Sequence, residues 1–246
     1  MARRFIECPD LGVRYRLRTQ TTWMDREIKP TTVCIKVSVL SQHSSAQYLS
    51  CQLKWAQPNF ERFIFCVADL IQEYDYRIIG HPSLGRLDAA TAHRVADQEG
   101  RTWIDANLKV ILEALPPASY DIVRTNEWRA WEGYQGRLAD LVRLYHADPM
   151  FSEAVRSDVR DYARRRGFYR SLSEHEYDEL ARHTLEELTF DGLQAEREAT
   201  LFLYAGSEPE AYKAIRHHPL APASVADLDY RYVEIRPSSS STKRTK

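Results

Sequence analysis

The chain has 246 residues, enough for one large α/β domain with a sizeable buried core. Its 28% charged and 43% hydrophobic residues are an ordinary globular mix, and the net charge of −1 gives no bulk attraction for nucleic acid. The start, MARRFIECPD, has no apolar stretch of signal length, and no run reaches the ~18 apolar residues of a membrane span, so a cytoplasmic protein with no membrane partner is expected.

Residues 1–30 read as an N-terminal extension of irregular or edge material, 31–237 as the main domain, and 238–246 as a disordered basic tail. Strand-like runs at 33–38, 63–68, 120–123, 199–204 and 229–235 alternate with helical patterns near 45–56, 89–114, 126–146, 149–166 and 173–190. Asp88 and Ser173 stand where helix N-caps belong, and Pro116-Pro117 closes a helix. Such alternation predicts an α/β fold: a mostly parallel sheet with helices on both faces. The first run (Val33, Ile35, Val37) stops at Ser38 and passes through a polar loop into a helix carrying Tyr48, Cys51 and Trp55. The second, Phe63–Ala68, ends at Asp69. Ligands of open α/β sheets bind at the carboxyl ends of strands, so the Ser38 hydroxyl is placed to meet a substrate. Cys8, Cys34, Cys51 and Cys66 show no CxxC spacing, and reduced, buried thiols are expected.

Familiar catalytic motifs are missing: there is no G-x-S-x-G elbow, P-loop, G-x-G-x-x-G or H-E-x-x-H. His217-His218 precedes Pro219 without an evident third ligand and reads as a surface turn, so neither metal nor cofactor is expected. From Arg156 to Arg170 six arginines face two aspartates, a pattern shared by solvated helix faces and phosphate-binding patches. By itself Ser38 reads first as a strand-end serine bonding local backbone, as most such serines do, and only second as a nucleophile.

Residues 33–69 resemble the corresponding stretch of the tRNA-dependent cyclodipeptide synthases. They share the apolar strand ending in serine and the helix ending in Leu53, Trp55 and Ala56. Phe60-Glu61-Arg62 follows, then the strand ending at Asp69. The similarity continues more weakly: Tyr120–Arg124 and Trp128–Tyr134 resemble the family's strand and following helix, His183–Glu187 its Y-x-x-x-E helix, and Leu201–Tyr204 its strand ending in tyrosine. The resemblance implies a Rossmann-like fold similar to the catalytic domain of class I aminoacyl-tRNA synthetases. Both synthetase ATP signatures are missing, since His81-Pro82-Ser83-Leu84 is not H-x-G-H and no K-M-S-K-S occurs.

It also implies aminoacyl-tRNAs as substrates and a ping-pong acyl transfer. Ser38 retains a first aminoacyl group, a second aminoacyl-tRNA supplies the other residue, and the dipeptide closes to a diketopiperazine. Tyr204 matches the family's proton-relay tyrosine and Glu187 the carboxylate that holds the aminoacyl ammonium. His183 replaces the family's helix tyrosine, one turn before Glu187, and is suited to accepting from an ammonium or moving a proton. An ordinary exposed helix histidine is the plain alternative. Cys34, Lys36, Cys66, Phe190, Asp191 and Phe202 fall where the family lines its first aminoacyl pocket, with Ser41, Asp69 and Tyr134 nearby.

Ser41 stands where many members carry asparagine, and Ala205 follows the late tyrosine in place of histidine or proline. The family's basic helix corresponds to about 89–114, where Arg94, Arg101 and Lys109 are outnumbered by acids. The tRNA is therefore expected at Arg156, Arg160, Arg164, Arg165, Arg166 and Arg170. These departures suggest a divergent branch, one of which, in fungi, makes arginine-containing cyclic dipeptides. Asp191 could receive a guanidinium, or Lys36 could pair with Asp191 or Asp69 and leave the pocket neutral. A serine acyltransferase or hydrolase, which needs an ordered His-Asp pair, and a non-catalytic module for charged tRNA are the alternatives.

Overall fold

A computed structural model describes residues 4–8, 13–19, 31–41, 44–203, 209–216, 218–219, 221 and 233–237, of which 4–8, 13–19 and 233–237 as backbone. In chain order the elements are β1 (Arg4–Cys8), β2 (Val13–Thr19), β3 (Thr32–Val37), α1 (Ala46–Ala56), β4 (Arg62–Val67), α2 (Gln72–Ile78) and α3 (Ala89–Ala114). There follow β5 (Tyr120–Arg124), α4 (Thr125–Arg129), α5 (Tyr134–Ala147), α6 (Pro149–Arg165), α7 (Glu174–Arg197), β6 (Thr200–Leu203), α8 (Glu210–Ile215) and β7 (Val233–Pro237).

The four-stranded sheet runs β5-β4-β3-β6 with every pairing parallel. Side chains alternate across it with period two. Val33, Ile35, Val37, Phe63, Phe65 and Val67 pack with α1 and α3 through Leu49, Leu53, Trp103 and Ile111. Cys34, Ile64, Cys66 and Phe202 face the other way, onto Leu141, Phe151, Leu185, Leu188 and Tyr212 of α5 to α8. Both faces are thus buried, which is why these strands read as near-continuous apolar runs. The chain crosses from one helix layer to the other between β5 and β6, and β6 returns beside β3. The topological switch therefore falls at β3, the strand that leads into Ser38.

Asp88 and Ser173 do cap α3 and α7, accepting hydrogen bonds from the Thr91 and Glu176 amides. Several boundaries differ from expectation. The segment expected as one helix over 126–146 divides into α4 and α5 because Gly133 takes a left-handed conformation (φ +81°) between them. The last long helix runs on from 190 to Arg197, carrying Asp191 and Gly192, which read locally as helix-weakening residues, into the core. Helices α2 and α8 are short additions that the sequence pattern did not announce. Residues 1–30 supply β1 and β2, and these join β7 in a separate antiparallel sheet ordered β1-β2-β7. The strand expected at 229–235 is β7, outside the parallel sheet. Cys34 and Cys66 are free and buried, but Cys51 is disulfide-bonded, which corrects the expectation of reduced thiols throughout.

Asp69 ties the carboxyl end of β4 to its surroundings. Its buried carboxylate accepts hydrogen bonds from the Leu70 amide (2.8 Å), the Thr125 amide (3.2 Å) and Arg124 Nε (2.6 Å). Arg124 also reaches Asp97 on α3 at 2.8 Å. Gly100 of α3 lies directly against this carboxylate, where an added Cβ would sit 2.1 Å from Asp69 Oδ2. Replacing a mid-helix glycine with alanine ordinarily gains about 0.8–1 kcal/mol. Here the sign is expected to invert, because a carboxylate held by three donors cannot step aside. Gly100→Ala should lower the melting temperature, by about 1–3 kcal/mol of stability. An unchanged or raised Tm would show that the packing relaxes.

Candidate active site

Ser38 follows β3 at the carboxyl end of the parallel sheet and opens a turn in which its carbonyl accepts from the Ser41 amide at 2.9 Å. The Ser41 carbonyl accepts in turn from the Ser44 amide at 2.9 Å. The Trp103 indole N–H of α3 donates to the Ser44 carbonyl at 2.6 Å and fixes the far end of the loop. Among the described residues the Ser38 hydroxyl makes no hydrogen bond, so no base is paired with it.

Ser38 and Ser41 line a cavity of about 630 Å³. The opposing wall is α7, whose His183, Thr184 and Glu187 face it at helical spacing. Lys36 rises from β3 on the Ser38 side, Gln72 and Asp75 come from α2, Tyr212 from α8, and Tyr162, Arg165 and Arg166 from the end of α6. Four side chains expected in the pocket are not on its wall: Cys34, Cys66, Phe190 and Phe202 belong to the apolar core beneath. Asp69 is held by Arg124 and two backbone amides and does not reach the cavity. Nor does Tyr134, which is buried with its hydroxyl on Glu186 at 2.8 Å. Tyr204, and with it the expected relay tyrosine, lies outside the described residues, as do the tail 238–246 and His217.

The adjacent acids of α7 have opposite tasks. Glu186 points away from the cavity and accepts from Tyr74 (2.6 Å), Tyr134 (2.8 Å) and Arg129 (2.8 and 3.0 Å). Burial and then this carboxylate hold the Tyr74 and Tyr134 hydroxyls above their usual range, so both remain O–H donors. Glu187 instead faces the cavity, with Lys36 Nζ 3.7 Å away. One helical turn deeper, Asp191 is fully buried, takes Lys36 Nζ at 2.9 Å and Tyr212 OH at 2.8 Å on Oδ2, and leaves Oδ1 without a hydrogen bond. Burial pushes the Asp191 carboxyl up, to about 6, against the pull of Lys36. Of the two fates open to Asp191, the internal pair with Lys36 is the one adopted, on Oδ2.

His183 is not an ordinary exposed helix residue. Its Nδ1 lies 3.1 Å from Asp75 Oδ2, which also accepts from Tyr162 OH at 3.0 Å. Burial disfavours the imidazolium, but Asp75, with Glu187 and Glu186 nearby, outweighs it and lifts the group to about 9. The shift favours the imidazolium, a form that donates from both ring nitrogens, over the neutral ring that would accept from a substrate ammonium. An ordered His-Asp pair does exist, and sequence reasoning missed it because Asp75 sits on an unannounced helix. Gln72, Tyr162 and Tyr212 were missed for the same kind of reason, each reaching the cavity from a distant element.

The basic patch on α6 is largely neutralised. Arg156 pairs with Glu174, Arg160 with Glu153, Arg164 with Asp161 and Arg170 with Glu176. Arg166 instead stacks over the Tyr162 ring (5.8 Å), and Arg165 meets no acid among the described residues. These last two are the arginines on the cavity wall.

No family model matches the chain, and no curated protein is detectably similar in sequence. Solved structures are similar in fold. A cyclodipeptide synthase from Fluoribacter dumoffii superposes with a TM-score of 0.75 at 17% identity, over 93% of this chain and 100% of that one. A Mycobacterium tuberculosis protein, whose structure relates cyclodipeptide synthetases to type I tRNA synthetases, gives 0.71 at 17% identity over 91% and 94%. A cyclodipeptide synthase from Candidatus Glomeribacter gigasporarum, bound to Phe-tRNAPhe, gives 0.59 at 13% identity over 93% and 97%. The chain therefore has the Rossmann-like α/β fold of that group, related to the class I synthetases. Among the described residues no helix is long and apolar enough to cross a membrane.

Proposed function

We propose that the chain is a cyclodipeptide synthase that joins two aminoacyl groups, taken from aminoacyl-tRNAs, into a 2,5-diketopiperazine. The observation that carries this reading is the meeting of Ser38 and Glu187 on one cavity at the topological switch of a fold shared with such enzymes. Ser38 Oγ bonds to the ester carbon of the first aminoacyl-tRNA, the ester C–O bond breaks, and the released ribose hydroxyl takes the proton that Oγ gives up. Glu187 holds the ammonium of the retained aminoacyl group by a charge-assisted hydrogen bond. That ammonium gives up a proton to water, and its nitrogen bonds to the ester carbon of a second aminoacyl-tRNA. The ester C–O bond breaks, the released ribose hydroxyl takes a proton from the nitrogen, and a dipeptide is left on Ser38. Its free amine attacks the Ser38 ester, closing the ring and releasing the serine. Both substrates are activated esters, so positioning supplies much of the rate and no cofactor is needed.

Lys36 and Tyr212 already hold Asp191 Oδ2, so this acid lends the arginine-containing product no support. A serine hydrolase gains the His183–Asp75 pair, yet an imidazolium that makes no bond to Ser38 is not its general base. Expression in a bacterial host followed by mass spectrometry of the medium separates the readings. A new diketopiperazine supports the synthase, whereas deacylated tRNA with free amino acid alone would favour the hydrolase.

Arg165 and Arg166 are the α6 arginines we place against tRNA phosphate. Reversing both to glutamate should weaken tRNA binding and flatten the slope of log K against log salt by about 1–2. Reversing Arg156 and Arg160, whose charges acids already offset, should change the slope less. Salt-titrated binding that ranks the pairs the other way would move the tRNA face along the helix.

A further inference from the structure

We propose that Asp75 is a positioning residue: through one carboxylate oxygen it holds His183 as a hydrogen-bond donor at the Ser38 cavity and fixes Tyr162 beside it. The proposal rests on the reading that Ser38 is acylated by aminoacyl-tRNA. Asp75, His183 and Tyr162 come from three different helices, α2, α7 and α6, and all three line the cavity. Asp75 is 1% exposed, and its Oδ2 lies 3.1 Å from His183 Nδ1 and 3.0 Å from Tyr162 OH. A carboxylate only accepts, so Nδ1 carries a proton and the tautomer is settled.

The other ring nitrogen, Nε2, makes no hydrogen bond among the described residues. In the imidazolium it is an N–H donor suited to an ester, acyl or ribose oxygen. In the neutral ring, with Nδ1–H kept on Asp75, it becomes an acceptor, and the donor is lost. Donor function at this position therefore requires the charge. The groups around His183 are Asp75 from α2, Tyr162 from α6 with Arg166 stacked over the Tyr162 ring, Glu186 and Glu187 on its own helix, and Lys36 of β3 beyond Glu187. Burial opposes the imidazolium. Asp75, the carboxylate in direct contact, is what keeps it protonated through neutrality.

Single-turnover acylation of Ser38 by a radiolabelled aminoacyl-tRNA, followed from pH 6 to 9, tests this. Wild type should hold its rate through neutrality and decline as pH approaches 9. Asp75→Asn keeps the shape and the acceptor for Tyr162 but removes the charge. Its alkaline limb should move toward the ordinary histidine value of about 6.5, costing roughly 30-fold at pH 8 and little at pH 6. In the His183→Tyr background the same substitution should no longer move the limb, because a phenol stays a donor to about pH 10. Identical limbs in wild type and Asp75→Asn, or a loss equal at every pH, would overturn the proposal. Histidine NMR of the wild-type protein tests the same point without depending on how the variants fold: a His183 that titrates below pH 7 also overturns it. A wild-type protein that is never acylated refutes the proposed function, and the NMR titration still decides the role of Asp75.

Discussion

Ser38→Ala should abolish cyclic dipeptide formation while leaving the protein folded. The hydroxyl makes no hydrogen bond among the described residues, so its removal strands no partner and should change stability by under about 1 kcal/mol. Without Oγ there is no atom to carry the first aminoacyl group, and the loss should be complete, since the second half of the reaction begins from the acyl-enzyme. Wild type incubated with a radiolabelled aminoacyl-tRNA should retain label through acid precipitation, and Ser38→Ala should retain none. Equal labelling of both would remove Ser38 from the mechanism even if product fell.

The second large effect is expected in stability. Lys36 and Asp191 form a buried ion pair between the central strand and the longest wall helix. Lys36→Met leaves the Asp191 carboxylate with Tyr212 as its remaining donor, and breaking such a pair costs about 3–5 kcal/mol. A domain of this kind has about 5–15 kcal/mol in all. The loss should depend on pH in a definite sense. The Asp191 carboxyl is already raised to about 6 in the folded protein, so the folded state binds its proton more tightly than the unfolded chain. Removing Lys36 raises it further, and the variant should therefore regain stability as pH falls from 7 to 5. Lys36→Met combined with Asp191→Leu should recover most of the loss at pH 7, because no buried charge remains. Urea melts at both pH values check this. A single variant as stable as wild type at pH 7 would show that water reaches Asp191.

Tertiary geometry also changes how the local charges are understood. Six arginines within fifteen positions, 156 to 170, suggest a phosphate site when read along the chain. Folded beside α7 and its own helix acids, four of them are spent on Glu174, Glu153, Asp161 and Glu176. Partners such as Glu174 and Glu176 lie on another helix, so the neutralisation could not be read from the α6 stretch itself. The wall of the cavity keeps the remainder, Arg165 and Arg166.

The parallel sheet was legible because burial on both faces leaves a one-dimensional trace. Val33 to Val37 and Phe63 to Val67 are apolar at almost every position, and each run is closed by a turn signal. The exception, Lys36, marked the place where the interior is not apolar. Ser38 was marked by the end of its strand, and Glu187 and His183 only by the family resemblance; the structure places all three on one cavity. The N-terminal sheet was not legible, since β2, which carries β1 on its other edge, pairs with a segment more than two hundred residues away, and no local pattern encodes that register. Residue order by itself thus determined which strands are buried, where the central one ends, and that a hydroxyl stands there. The fold alone decided the charges: that Asp191 belongs to Lys36, that Glu186 serves the scaffold while Glu187 faces the cavity, and that Asp75 keeps His183 protonated. The physical reason is that apolar burial is a sum over local positions, whereas the state of a buried charge depends on the few atoms within about 4 Å of it, and here those atoms come from other helices.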